Sequence, residues 1–151
     1  MTIKIGDFIP EAMLVKVTAD GPTPVSTADM FGGRTVALFS VPGAFTPTCS
    51  AKHLPGFVAN AEAIRAHGID EILGLAVNDA FVMSAWSNSA GAGDKVTMIA
   101  DGSADFTKAL GLEMDASRFG MGIRGQRFSM IVKNGIVTHL NVEDAGAFAV
   151  S

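Results

Sequence analysis

Thr35-Val36-Ala37-Leu38-Phe39-Ser40-Val41 is apolar at nearly every position, and Pro42-Gly43-Ala44-Phe45-Thr46-Pro47-Thr48-Cys49-Ser50 follows it without a break. A strand with one wet face alternates polar and apolar residues. A near-continuous apolar run predicts a strand buried on both faces. Pro42 suits the strand's end, because it cannot donate to a ladder. Thr46 then fits a helix N-cap, and Pro47 fits the first helical position, where a missing N–H costs nothing. Cys49 falls in the first turn of that predicted helix. Unpaired backbone N–H groups and the positive helix end favour its thiolate there.

Ile72 to Val77 is a second continuous apolar run, and Val96 to Ala100 a third. Phe128 to Lys133 and Ile136 to Leu140 flank Asn134-Gly135, a two-residue hairpin signal. Met13 to Val17 predicts an N-terminal strand, ahead of a turn at Pro22 and Pro24. Leu54, Phe57, Val58, Ala61, Ile64 and Arg65 carry helical spacing, ending at His67-Gly68. Phe81 to Asn88 predicts a helix capped by Asp79, and Ser89 to Gly93 a loop. Ala104 to Leu110 predicts another helix, capped by Ser103 and stopped by Gly111. Asp101-Gly102 reads as a turn. Strands alternating with helices, then a hairpin, predict parallel crossovers plus an antiparallel edge. The expected class is α/β, a thioredoxin-like fold with a central mixed sheet, flanking helices and a C-terminal β-hairpin.

The 151 residues suit one domain spanning 1–151, and 48% hydrophobic against 17% charged residues argues for a folded core. Eleven Lys and Arg against fifteen Asp and Glu leave a net charge of −4. That balance argues against nucleic-acid binding, which needs a basic face. No stretch is long and apolar enough to predict a transmembrane helix, and the start has no secretory h-region. A cytoplasmic location with no membrane partner is the expectation. A single cysteine excludes an intramolecular disulfide and a multi-thiolate metal site, and the absence of Tyr removes that residue as a catalytic acid.

Cys49 therefore carries the chemistry or is a small buried hydrophobe, the usual state of a lone cysteine. An unperturbed thiol, with a pKa of about 8.5, is only a few per cent thiolate at neutral pH. Lowering the pKa to about 6 supplies roughly 30-fold more thiolate, but nucleophilicity falls with it. Fast chemistry also needs donors for charge developing on a leaving oxygen. Thr46 and Pro42 each have a structural reading as well, as cap and strand terminator.

Pro42, Thr46 and Cys49 match the Pro-x-x-x-Thr-x-x-Cys signature, and the whole run from Val41 to Phe57 resembles the peroxiredoxin-5 (type II, redoxin) subfamily of the peroxiredoxins. Val77 to Met83, Met98 to Gly102, Arg127 to Val132 and Asn141-Val142-Glu143 resemble it too, so the likeness runs from Gly6 to Glu143. The resemblance implies a thiol-dependent peroxidase acting on hydrogen peroxide and small organic hydroperoxides. Cys49 becomes a sulfenic acid, Thr46 hydrogen-bonds the peroxide, Pro42 shields the sulfur, and Arg127 pairs with the thiolate and orients the peroxide. The amides of Gly43 and Cys49 are further candidate donors. No cofactor is implied beyond an external thiol reductant.

Three arginines cluster at 118, 124 and 127. Arg127 is preferred because it opens a predicted strand and matches the family. Arg124 is second, as a binder of an anionic substrate or acidic partner group. His53, four residues after Cys49, is conceivable as a base, although Pro55 disturbs that helix. His67 reads as a helix C-terminal partner, and His139 as structural or exposed. No His, Asp and Glu cluster has metal-ligand spacing.

Many relatives resolve the sulfenic acid with a second cysteine, which this chain lacks; Ser151 stands near where some carry it. A one-cysteine cycle is expected, with glutathione or glutaredoxin as the favoured reductant and thioredoxin second. A peroxide sensor or thiol-oxidation relay using the same cysteine is the alternative reading. A structural module and a cysteine hydrolase are disfavoured, the latter for want of a positioned histidine. The resemblance also implies a C-terminal helix after the tail at residues 144–151, and none is expected within residues 1–151. The subfamily resemblance implies a homodimer, with Phe45, Phe81 and Trp86 as candidate contacts, each of which reads equally as core.

Overall fold

The computed structural model describes residues 2–47 and 53–143. The described strands are β1 (Met13–Thr18), β2 (Gly21–Ser26), β3 (Thr35–Val41), β4 (Glu71–Ala76), β5 (Thr97–Ala100), β6 (Glu113–Asp115), β7 (Ile123–Gly125), β8 (Phe128–Lys133) and β9 (Ile136–Val142). The described helices are α1 (Thr27–Phe31), α2 (Leu54–Ala59), α3 (Ala61–Arg65), α4 (Ala80–Ala90) and α5 (Asp105–Leu110). Seven strands form one mixed sheet in the order β2-β1-β5-β4-β3-β8-β9, and β6 pairs with β7 apart from it. The expected mixed sheet with flanking helices and terminal hairpin is what forms. β3, β4 and β5 are parallel, and β1 and β8 flank them antiparallel.

The continuous apolar runs occupy the sheet centre because helices cover both faces there. Successive side chains of a strand point to opposite faces. Val36 and Leu38 of β3, with Leu73 and Leu75 of β4, pack against Phe31 of α1 and Phe106 and Leu110 of α5. Ala37, Phe39 and Val41, with Ile72 and Ala76, pack on the other face against Leu54, Ala61, Met83 and Trp86. Each fully buried Leu or Phe in these layers contributes about 1.5–3 kcal/mol. Gly74 is required by this packing. A Cβ there would come within 3.0 Å of Phe39 Cζ and 3.1 Å of Met98 Sδ.

Trp86 is 1% exposed and belongs to this core, so it is not an intermolecular contact candidate. Phe45 and Phe81 are 50% and 76% exposed.

Three local expectations need correction. Pro22 and Pro24 lie in a strand rather than a turn, opposite Val17 and Val15 of β1. Two residues apart on the sheet's outermost strand, both prolines place their missing N–H on the unpaired side. Ser103 does not cap α5. The helix is preceded by Ala104 in left-handed backbone (φ +64°), with no side-chain cap from that residue. Asp101 serves instead: its carboxylate accepts from Phe106 N at 3.2 Å, Thr107 N at 2.8 Å and Thr107 Oγ1 at 2.7 Å. Its backbone amide donates to Ala76 O at 3.0 Å, so this one buried residue, following β5, ties β4 to α5. Finally, the helix expected through residues 54–65 breaks at Asn60, whose Nδ2 donates to Gly56 O at 2.7 Å.

Other signals held. Asp79 caps α4 by accepting from Val82 N at 2.9 Å, although α4 runs on to Ala90 through part of the expected loop. Asn134 (φ +49°) and Gly135 (φ +80°) turn the β8–β9 hairpin.

Candidate active site

The loop at Pro42–Pro47 leaves the carboxyl end of β3, where a buried parallel strand delivers it to the rim of the sheet. β8 runs antiparallel to β3, with Phe128 opposite Ser40, so Arg127 enters β8 at that same rim. Cys49 lies outside the described residues, between Pro47, where the backbone is already helical, and His53.

The loop is held by its own polar groups. Thr46 Oγ1 donates to Gly43 O at 2.7 Å, and Ala44 N donates to Asn78 Oδ1 at 2.9 Å. Asn78 thus ties the loop after β3 to the loop after β4. Phe45 takes a left-handed conformation (φ +64°) at the exposed tip of the turn. Such backbone is uncommon for a bulky residue and concentrates at functional loops. Gly43 is buried, and a Cβ there would lie 3.2 Å from both Arg124 Nη1 and Thr46 Cγ2. Its lack of a side chain is what lets Arg124 and Thr46 close on it.

Arg124, on β7, donates from Nε to Met121 O at 2.9 Å and from Nη1 to Val77 O at 3.1 Å. It clamps the β6–β7 hairpin to the main sheet beside the Pro42–Pro47 loop. Arg127 is placed differently. Its Nη1 lies 2.9 Å from His53 Nδ1, and its carbonyl accepts from Glu143 N at 3.0 Å. The structure therefore brings Gly43, Thr46 and Arg124 together as one group, and Arg127, His53 and Glu143 together as another.

His53 is 1% exposed, in π-helical backbone just before α2. Its ring lies 5.0 Å from that of Phe39 and 5.6 Å from that of Phe57. Arginine only donates hydrogen bonds, so His53 Nδ1 is the acceptor and the ring proton sits on Nε2. Burial, then the Arg127 charge, push the His53 pKa down to about 4, against an opposing pull from Glu143. A neutral ring whose bare nitrogen is occupied by a guanidinium cannot take a proton from a thiol, so His53 is not the general base. His67 bonds Ala63 O at 2.7 Å near the end of α3, and His139 is exposed, as expected.

The depressed His53 pKa makes stability pH-dependent. Unfolded His53, with its ordinary pKa near 6.5, binds a proton that folded His53 refuses until about pH 4. Stability from this group is complete above pH 6.5 and is lost as pH falls through 6.5 to 4. The loss amounts to about 3 kcal/mol. Urea unfolding of Cys49→Ser, chosen to keep the thiol from titrating, should show this drop between pH 7 and pH 4. His53→Asn should flatten it, and an unchanged profile in that variant would reject the assignment.

Asn78, Asp101 and Glu143 contribute without a local sequence signal for it. Each stands in a segment that resembles the family, but polar residues in such loops are usually solvated, and their partners lie far away in sequence. Among the described residues no group of three or more His, Cys, Asp and Glu could hold a metal. No described helix is long and apolar enough to cross a membrane.

A thioredoxin-like mixed sheet with one cysteine in the segment following its central strand, and an arginine delivered to the same rim, defines a thiol-based oxidoreductase. The redoxin family profile matches residues 4–149. Peroxiredoxin-2C of Oryza sativa subsp. japonica is 45% identical over 99% of this chain and 93% of its own length. The chloroplastic Peroxiredoxin-2E-2 of the same plant is 48% identical over 99% of this chain and 69% of its own length. Among solved structures, reduced Prx3 from Vibrio vulnificus in complex with hydrogen peroxide superposes with a TM-score of 0.95 at 49% identity, covering 99% of this chain and 94% of that one. The chain belongs to the redoxin family as a type II peroxiredoxin, a thiol-dependent peroxidase.

Proposed function

We propose that Cys49 reduces hydrogen peroxide and small organic hydroperoxides, and that an external thiol restores it. The carrying observation is the convergence of the Thr46–Gly43 turn and Arg127 at one rim of the sheet, with Cys49 following Thr46 by three residues. The Cys49 thiolate attacks one peroxide oxygen and the O–O bond breaks. The departing oxygen takes a proton and leaves as water or alcohol, while the sulfur becomes a sulfenic acid, oxidised by two electrons. Arg127 and the Thr46 hydroxyl orient the peroxide and stabilise charge on the leaving oxygen. Pro42, half-buried at the end of β3, shields the sulfur. Gly43 and Arg124 shape the wall beside Thr46.

Resolution needs two equivalents of thiol. The first attacks the sulfenic sulfur, releases water and forms a mixed disulfide. The second frees Cys49 and leaves as the external disulfide. With one cysteine in the chain, glutathione or glutaredoxin is the proposed reductant, with thioredoxin second, in the reducing cytoplasm. Reduced protein mixed with one equivalent of hydrogen peroxide should lose its thiol within seconds at micromolar concentration and gain one oxygen by intact mass. A thiol surviving many minutes would reject the reading.

Phe45 and Phe81 are exposed phenyl rings on the loop and helix bordering the site. We assign them to a homodimer contact. Phe81→Arg should give a folded monomer in sedimentation; an unchanged dimer, or a monomeric wild type, would reject the contact.

A further inference from the structure

We propose that His53 is the positioning residue of the peroxidase, its neutral ring holding the Arg127 guanidinium in place through Nδ1. The inference rests on the reading of Arg127 as the peroxide-orienting cation.

An arginine on a strand end has a long side chain with many accessible rotamers. A misplacement near 1 Å is enough to slow a reaction by roughly 10²-fold. Something must therefore fix the guanidinium. The His53 bond, at 2.9 Å, does so from a rigid origin. The imidazole is buried against Phe39 of β3 and Phe57 of α2, which themselves stack at 4.3 Å between centroids. His53 thus transmits the position of the sheet centre and of α2 to Arg127. It also sits in the same short segment as Cys49, four residues on, so the chain that carries the nucleophile carries the clamp for its cation.

The choice of histidine has a chemical consequence. A carboxylate in this position would hold the arginine equally well but would neutralise part of its field at the sulfur. A neutral imidazole supplies an acceptor without adding negative charge. Glu143 is the buried acid acting on the ring, and it bonds Arg127 through the backbone, N–H to carbonyl.

The test compares two substitutions. His53→Leu removes the acceptor, and His53→Asn restores one near the Nδ1 position. Single-turnover oxidation of Cys49 by hydrogen peroxide should slow roughly tenfold or more in His53→Leu and recover most of that loss in His53→Asn. The Cys49 thiol, read by thiolate absorbance, should titrate higher in His53→Leu and return toward wild type in His53→Asn. Nitrogen NMR of the wild-type ring should show Nδ1 bare and Nε2 protonated. A proton on Nδ1 overturns the proposal, which this measurement decides even where His53→Leu fails to fold. Wild-type rates in both variants, or equal loss in both, also overturn it. Arg127→Met run alongside separates the two readings. If it is slow while the His53 variants are fast, only the positioning role fails; if it too is fast, the role of Arg127 itself fails.

Discussion

Cys49→Ser should lose peroxide reduction entirely while keeping the fold. Serine differs from cysteine by one atom and is close to it in volume, and a near-isosteric exchange costs the fold little. The melting temperature should stay within about 3 °C, equivalent to roughly 1 kcal/mol for a chain of this size. The chemistry, in contrast, has no substitute. A serine hydroxyl stays protonated at neutral pH, and its oxygen has no counterpart to the sulfenic acid. The chain contains no other cysteine to take over the step. Peroxide consumption with glutathione and glutaredoxin, measured beside the unfolding curve, checks both halves. Retained turnover in a folded Cys49→Ser protein would refute the mechanism.

Arg127→Met should slow the reaction with peroxide by roughly 10²–10³, the size of losing one preorganised donor to a developing oxyanion. Arg127→Lys should fall between, since an ammonium restores charge but lacks the planar fork. The same substitution acts on the fold. It removes the bond to His53 Nδ1 inside a buried setting, a loss of about 1–3 kcal/mol. It also removes a charge that depresses the His53 pKa, so that pKa rises in the variant. Rate and stability therefore need measuring on the same sample, with the rate read well below the melting transition. An effect under twofold would transfer the role to Arg124, whose Nη1 lies beside Gly43.

Much of this molecule was legible as one-dimensional pattern. The β3 run, the Asn134-Gly135 hairpin, the Asp79 cap and the Gly111 stop were each read from local chemistry and stand at their expected places. They are legible because buried strands must be apolar, and because capping and left-handed backbone demand particular residues. The errors were local as well. Pro22 and Pro24 look like a turn until β2 is seen at the edge, where an absent N–H is harmless. Ser103 looks like the cap of α5 until Asp101 reaches past it.

Residue identity and short spacing were enough to place the chain in its family and to single out its one cysteine and Arg127 as candidates. Contacts between residues distant in the chain came only with the folded sheet. His53 and Arg127 are 74 residues apart, and only the antiparallel pairing of β3 with β8 makes them neighbours. Asn78 meets Ala44 because β3 and β4 lie side by side in parallel, and Arg124 reaches Val77 from the separate β6–β7 pair. The His53–Arg127 contact also settled the state of His53. The direction of one hydrogen bond and the burial around it, neither written in local sequence, turn a conceivable base into a neutral acceptor.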